Sequence, residues 1–174
     1  VLACPQLLSF SIEENLKPTL DWLQSRLDLD EVQVRKVFVT HPPLLGLSVE
    51  ENLEPKLKWL QRRLDLNDAQ LKKMVLSFPA LLGYSVEDNM QPKLDFFEEE
   101  LGLSPSEVRA KILAMPSRLG SSLTKRYRPR LEVCRGAGAD TVLVLTYSHR
   151  RDEYFCETVG VPLETLRAAQ ENVS

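Results

Sequence analysis

Residues 79–95 read Pro-Ala-Leu-Leu-Gly-Tyr-Ser-Val-Glu-Asp-Asn-Met-Gln-Pro-Lys-Leu-Asp, and residues 42–58, 37 positions earlier, read Pro-Pro-Leu-Leu-Gly-Leu-Ser-Val-Glu-Glu-Asn-Leu-Glu-Pro-Lys-Leu-Lys. The same step runs through the chain. Pro5, Pro42, Pro79 and Pro116 form one ladder, and Pro18, Pro55, Pro92 and Pro129 form a second. Leu8, Leu45, Leu82 and Leu119 keep the step, as do Asn15, Asn52 and Asn89, and Trp22, Trp59 and Phe96. Residues 5–41 laid on 42–78 without a gap share 19 of 37 positions. A fixed period of this length marks stacked supersecondary units, none of which can bury its apolar face alone. The units are 5–41, 42–78, 79–115 and a degenerate 116–140, with 141–174 as a C-terminal helical cap and the whole of 1–174 as one domain. Val1–Cys4 match the end of a unit, so a further repeat is expected before Val1.

Each unit reads as two helices and a short turn. Ser11, Ser48 and Ser85 are N-cap candidates for the first helix, and Glu14 and Glu51, three residues on, complete capping boxes. The second helix is expected to start at Asp30, Asn67 and Ser104, with Gln33, Gln70 and Glu107 at its third position. It should stop before Pro42, Pro79 and Pro116, because a residue preceding proline avoids the α region. The Pro-x-Leu-Leu stretches then suit a single 3₁₀ turn. Pro18 and its equivalents fall inside helix one, where a missing N–H should bend the helix and curve the stack. Helix two carries apolar residues on two arcs, Val34 with Phe38 and Val32 with Val39, which predicts a helix sandwiched between neighbours. After Gly136-Ala-Gly138, the cap should hold a helix from Ser148 to Val159, a stop at Gly160 and a last helix from about Pro162 to Glu171.

Composition narrows function. The 174 residues carry 22 basic and 25 acidic groups, net −3, which argues against indiscriminate coating of nucleic acid or anionic membrane. No apolar run approaches the length of a spanning helix. Cys4, Cys134 and Cys156 fit neither a disulfide framework nor a zinc spacing and read as buried thiols of a reducing compartment. His41 and His149 are isolated, and no Gly-rich phosphate loop or nucleophile elbow is present, so no catalysis, cofactor or metal is expected. Glu98-Glu99-Glu100 reads not as a metal site but as acids pairing with Arg62 and Arg63 one repeat earlier, and Trp22 and Trp59 read as core.

The Pro-x-Leu-Leu segment, the Ser-(Ile/Val)-Glu-Glu-Asn-Leu-x-Pro-Lys-Leu segment and the leucine link into helix two resemble the mTERF family, the mitochondrial transcription termination factor proteins of mitochondria and chloroplasts. The resemblance covers residues 1–135, and Thr146-Tyr-Ser-His-Arg-Arg-Asp-Glu-Tyr-Phe155 resembles the family's closing segment. It implies an all-α fold, a curved right-handed-type helical solenoid of two helices plus a 3₁₀ turn per unit. It further implies a non-catalytic binder of double-stranded nucleic acid, DNA rather than RNA, acting as a monomer in a mitochondrion or chloroplast. No membrane association is expected, and no transit peptide is expected within 1–174. The alternative is a protein–protein scaffold using the same concave surface on a protein partner, motivated by the acidic balance.

Basic residues at the repeat step are the candidate phosphate contacts. Lys56, Lys93 and Arg130 form one row, with no acid three or four residues away. Arg35, Lys72 and Arg109 form another, of which Arg35 and Lys72 have Glu31 and Asp68 four residues earlier as helix partners. Within 116–135, Arg118, Lys125, Arg126, Arg128, Arg130 and Arg135 face only Glu132. Lys125 and Arg126 open a helix one, whose N–H groups should add to a phosphate site. With packed helices about 8–10 Å apart, one unit should track about three base pairs of duplex.

Overall fold

The computed structural model describes residues 17–172, all of it helix and connecting turn. Ser11, Pro5 and Cys4 therefore lie outside the described residues. The helices are α1 (Lys17–Leu27), α2 (Glu31–Thr40), α3 (Glu54–Arg63), α4 (Asp68–Ser77), α5 (Gln91–Asp95), α6 (Pro105–Ala114), α7 (Arg128–Ala137), α8 (Leu143–Thr146), α9 (Asp152–Val159) and α10 (Leu163–Glu171). Two compact units divide the chain after Val86. In the first, α2 packs on α1 and α4, and α4 also on α1 and α3. In the second, α7 packs on α8 and α10, and α10 on α9.

Local chemistry explains the boundaries. Asp30, Asn67 and Ser104 each accept the N–H three residues on, while the side chains of Gln33, Gln70 and Glu107 reach back to the cap backbone. These reciprocal capping boxes start all three second helices where expected. Ser48 caps helix one of its repeat by accepting the Glu51 N–H at 3.1 Å. Pro42–Gly46, Pro79–Gly83 and Pro116–Gly120 are 3₁₀ turns, as the proline spacing implies.

The internal prolines are accommodated by a device that proline spacing does not announce. Val49–Leu53, Val86–Met90 and Leu123–Tyr127 are π-helical turns, and each leads directly into an α segment whose second residue is Pro55, Pro92 or Pro129. In the second repeat Leu53 N–H donates to Ser48 and Glu54 N–H to Val49, five residues back. Proline, which donates nothing, then falls where the five-back register hands over to the α register. At the place where a bend is expected, the helix changes register from five-back to four-back bonding.

Leu27 and Leu29, Leu64 and Leu66, and Leu101 and Leu103 are all buried. Turning from one helix to the next between two buried leucines requires a left-handed residue, which is Asp28 (φ 49°), Asp65 (φ 47°) or Gly102 (φ 69°). The two apolar arcs of α2 behave differently. Val34, Val37 and Phe38 are buried, but Val32 and Val39 are 77% and 70% exposed, so one arc packs and the other faces outward among the described residues. Trp22 and Trp59 are half-buried, flanking the leucine core and not inside it. The cap helix α9 starts at Asp152, four residues later than expected, because arginine side chains occupy the carbonyls of Tyr147, Ser148 and Arg150.

Gly102 tests the link geometry. A Cβ built there meets nothing, so only backbone strain resists substitution. Gly102→Ala should lower stability by about 1–2 kcal/mol. Gly102→Asp should cost less, since aspartate already holds this slot in two repeats. Urea unfolding midpoints of the two variants check the order.

Candidate nucleic-acid interface

The row Lys56, Lys93 and Arg130 is turned inward. All three side chains are buried, and Arg130 is fully so. Lys56 Nζ donates to the carbonyl of Leu82 at 2.5 Å and to Asn52 Oδ1 at 2.9 Å. Lys93 repeats this with the Leu119 carbonyl at 2.5 Å and Asn89 Oδ1 at 2.6 Å. In both cases the acceptor is a leucine of the next repeat's 3₁₀ turn. The lack of acids three or four residues away, which suggests an uncompensated surface row, goes instead with neutral acceptors inside the fold. Burial pushes the Lys93 ammonium down to about 8.

Arg130 replaces lysine in the fourth repeat and serves the cap. Its guanidinium donates to the carbonyls of Tyr147 (2.8 Å) and Arg150 (2.9 Å) and to Asp152 Oδ1 (2.6 Å), and it lies 4.6 Å over the Phe155 ring. Arg126 Nη1 donates to the carbonyl of Ser148 at 2.6 Å. Burial raises the Asp152 carboxyl, but hydrogen bonds from Arg130 and Gln170, with the Arg130 and Arg126 charges, more than reverse this and hold it below the usual range. Buried Lys56, Lys93 and Arg130 therefore drop out of the candidate phosphate contacts.

The second row is mixed. Arg35 is exposed on α2, and Arg109 is half-buried on α6. Lys72 donates to the Asp28 backbone carbonyl and lies 3.8 Å from Asp28 Oδ2, so its partner is the preceding link and not Asp68. Asp68 instead accepts from Gln61 and faces Arg26 at 3.8 Å.

Near the C-terminus most cations have structural partners. Arg118 donates to the carbonyls of Leu145 and Lys111. Arg128 pairs with Glu100 at 3.2 Å, and Arg135 lies 3.8 Å from the same carboxylate. Lys125 is exposed, and its backbone N–H is already taken by Ser122 Oγ at 3.0 Å, so Lys125 itself has only its side chain to offer a phosphate. The bonds from Arg126 to the Ser148 and Arg150 carbonyls bring the turn His149-Arg150-Arg151, all exposed, to the same end of the unit. The His149 imidazole is held below its ordinary value by partial desolvation and then by the charges of Arg150, Arg118 and Arg130. The residues absent from the sequence-based set are thus His149, Arg150 and Arg151; they lie in the cap, where no repeat counterpart draws attention to them.

The family model of the mTERF proteins matches residues 1–149. The chain belongs to the mTERF family. No curated protein matches it. mTERF proteins are helical-repeat, nucleic-acid-binding regulators of organelles and are generally non-enzymatic. In this mTERF chain no cluster of His, Cys, Asp or Glu fit for a metal ion occurs among the described residues, and no described helix is long and apolar enough to cross a membrane. Cys134 and Cys156 are buried free thiols, and burial pushes Cys134 up to about 11, which keeps it unreactive.

Two outcomes test the inward-facing row. Lys93→Met leaves the Leu119 carbonyl buried without its ammonium donor and should cost about 1–3 kcal/mol. Because the folded-state value of Lys93 lies below that of a free lysine, the folded protein binds fewer protons than the unfolded one between about pH 8 and 10.5. The stability of the wild type relative to Lys93→Met should therefore rise across that window, measured by denaturant unfolding at each pH. Arg130→Met should cost about 3–5 kcal/mol, since Asp152 loses its partner. Hydrogen exchange in α9 should accelerate before that in α6.

Proposed function

We propose that this protein binds duplex nucleic acid, DNA in preference to RNA, as a monomer regulating gene expression in a mitochondrion or chloroplast. The observation that carries the reading is the cluster of Lys125, Arg126, Arg150 and Arg151 at one end of the second unit, all but Arg126 exposed, around a turn that Asp152, bonded to Arg130, and the exposed Glu153 follow directly. Point charges of this kind hold backbone phosphates and fix position; they carry no base information. The chain-wide net charge of −3 is compatible with this, because the acids concentrate in other repeats: residues 79–115 carry three basic and seven acidic groups. Arg109, Arg118 and Arg128 of the same unit would extend the contact, with Arg118 and Arg128 giving up part of their present bonding. A protein partner is the second reading, favoured by the outward pair Val32 and Val39 on α2.

Mobility-shift titrations against salt decide between them. Duplex binding with a steep log–log slope is expected, and Lys125→Glu with Arg151→Glu should lower affinity uniformly across sequences and reduce the slope by about one per cation removed. Lys17→Glu, in the acidic first repeat, should change little. Absence of duplex binding even at low salt would sink the reading and leave the protein partner.

A further inference from the structure

Beside the cationic turn lies an exposed aromatic group. Tyr154 is 43% exposed on α9, whose packed face is supplied by Phe155 and Cys156. The Tyr147 ring stands 5.5 Å from it at 57°, and the Arg150 guanidinium carbon lies 5.2 Å over its ring. Two tyrosines and a guanidinium plane thus form one surface, contiguous with His149 and Arg151 in sequence and drawn to Lys125 by the Arg126 bonds to the turn.

We propose that this surface is a stacking platform for single-stranded nucleic acid, holding one or two unpaired nucleotides. The inference rests on the nucleic-acid reading above and adds a ligand class to it. In a duplex the faces of the bases are covered by their neighbours, so only an unpaired base presents a π-face to Tyr154 or to the Arg150 plane. Lys125 and Arg151 then take the flanking phosphates. The acids of the same helix, Glu153 and Glu157, are exposed and temper the charge, which makes stacking and not charge alone the determinant of affinity here. The platform reads the π-face and the phosphate, features common to DNA and RNA.

The experiment uses the full chain and fluorescence anisotropy with labelled oligothymidylate, oligouridylate and a mixed-sequence duplex. Tyr154→Ala should weaken both single strands by about tenfold while leaving the salt slope and the duplex affinity within about twofold. Tyr154→Phe, which keeps the ring, should bind like the wild type. Arg150→Lys, which keeps the charge and removes the plane, should lose part of the single-strand affinity. A larger loss on oligouridylate than on oligothymidylate assigns RNA as the ligand, and the reverse assigns DNA. Equal losses on duplex and single strand would reduce the surface to charge alone and overturn the proposal, as would unchanged single-strand binding in Tyr154→Ala. Wild-type duplex binding without any single-strand binding would overturn it while leaving the duplex reading intact. Thermal melting of each variant guards against loss through unfolding, and Tyr154→Phe keeps the test decisive if Tyr154→Ala melts early.

Discussion

A proline-led 3₁₀ turn presents carbonyl groups that no helix of its own can satisfy, and in this protein a buried cation from the preceding repeat supplies the donor. Lys56 to the Leu82 carbonyl and Lys93 to the Leu119 carbonyl are the same bond displaced by one repeat. A buried unpaired carbonyl would cost roughly 1–3 kcal/mol, and an isolated buried ammonium far more. Joined, and with an asparagine from the previous helical turn as second acceptor, each removes the other's penalty. The bond also specifies which turn lies against which helix, since a slip along the repeat would leave both groups unpaired. Leucines define that the repeats pack; the lysine–carbonyl bond defines their register.

The fourth repeat shows the rule by departing from it. Asn89 becomes Arg126 and Lys93 becomes Arg130, a joint change of both members of the pair. Beyond this repeat the chain offers no further 3₁₀ turn of the Pro-x-Leu-Leu kind, but an irregular segment with several carbonyls and a carboxylate. An ammonium is a point donor, whereas a guanidinium presents five N–H groups in a fixed plane. Arg130 uses that plane to hold Tyr147, Arg150 and Asp152 together and leaves its Nε buried without a hydrogen-bond partner. The cap is therefore anchored by the same position that links repeats elsewhere, with its chemistry altered to suit a non-repeating neighbour.

Much of the fold is legible in the sequence because its causes are local. Capping residues at Asp30, Asn67 and Ser104 and the proline after each second helix act within a few residues, so the boundaries can be read directly. The destination of the Lys56 side chain cannot, because its acceptor lies 26 residues away in the next repeat and is a backbone carbonyl, which has no sequence signature. The Asn52-x-x-x-Lys56 and Asn89-x-x-x-Lys93 pairs do carry a signal: polar partners four apart, without acids, at an identical place in each repeat. The π turns are hidden for a related reason, since proline announces that a hydrogen bond is missing but not how the helix makes room. Apolarity alone makes Val32 and Val39 look like core, and burial depends on a neighbour that periodicity on one helix cannot supply.

The inward arginines also bear on the candidate interface. A carbonyl satisfies a guanidinium's N–H groups but does not neutralise its charge. Arg126 and Arg130 bring two positive charges to the turn at 147–152, Arg118 bonds Leu145 just before it, and Asp152 is the acid directly bonded to Arg130. The exposed residues His149, Arg150 and Arg151 stand above these charges. In the low dielectric beneath the surface these charges are screened less than those of mobile surface lysines would be. Cations placed near a helix start, where the dipole opposes them, are stabilised here by the carbonyls of the cap, so folding alone accounts for Arg126 and Arg130. The cap's carbonyl bonding does not use the exposed side chains of Lys125 and Arg151, and the Arg150 guanidinium lies over the exposed ring of Tyr154. One segment thus serves as acceptor for the interior arginines of the fourth repeat and carries the exposed Arg150 and Arg151 at its surface.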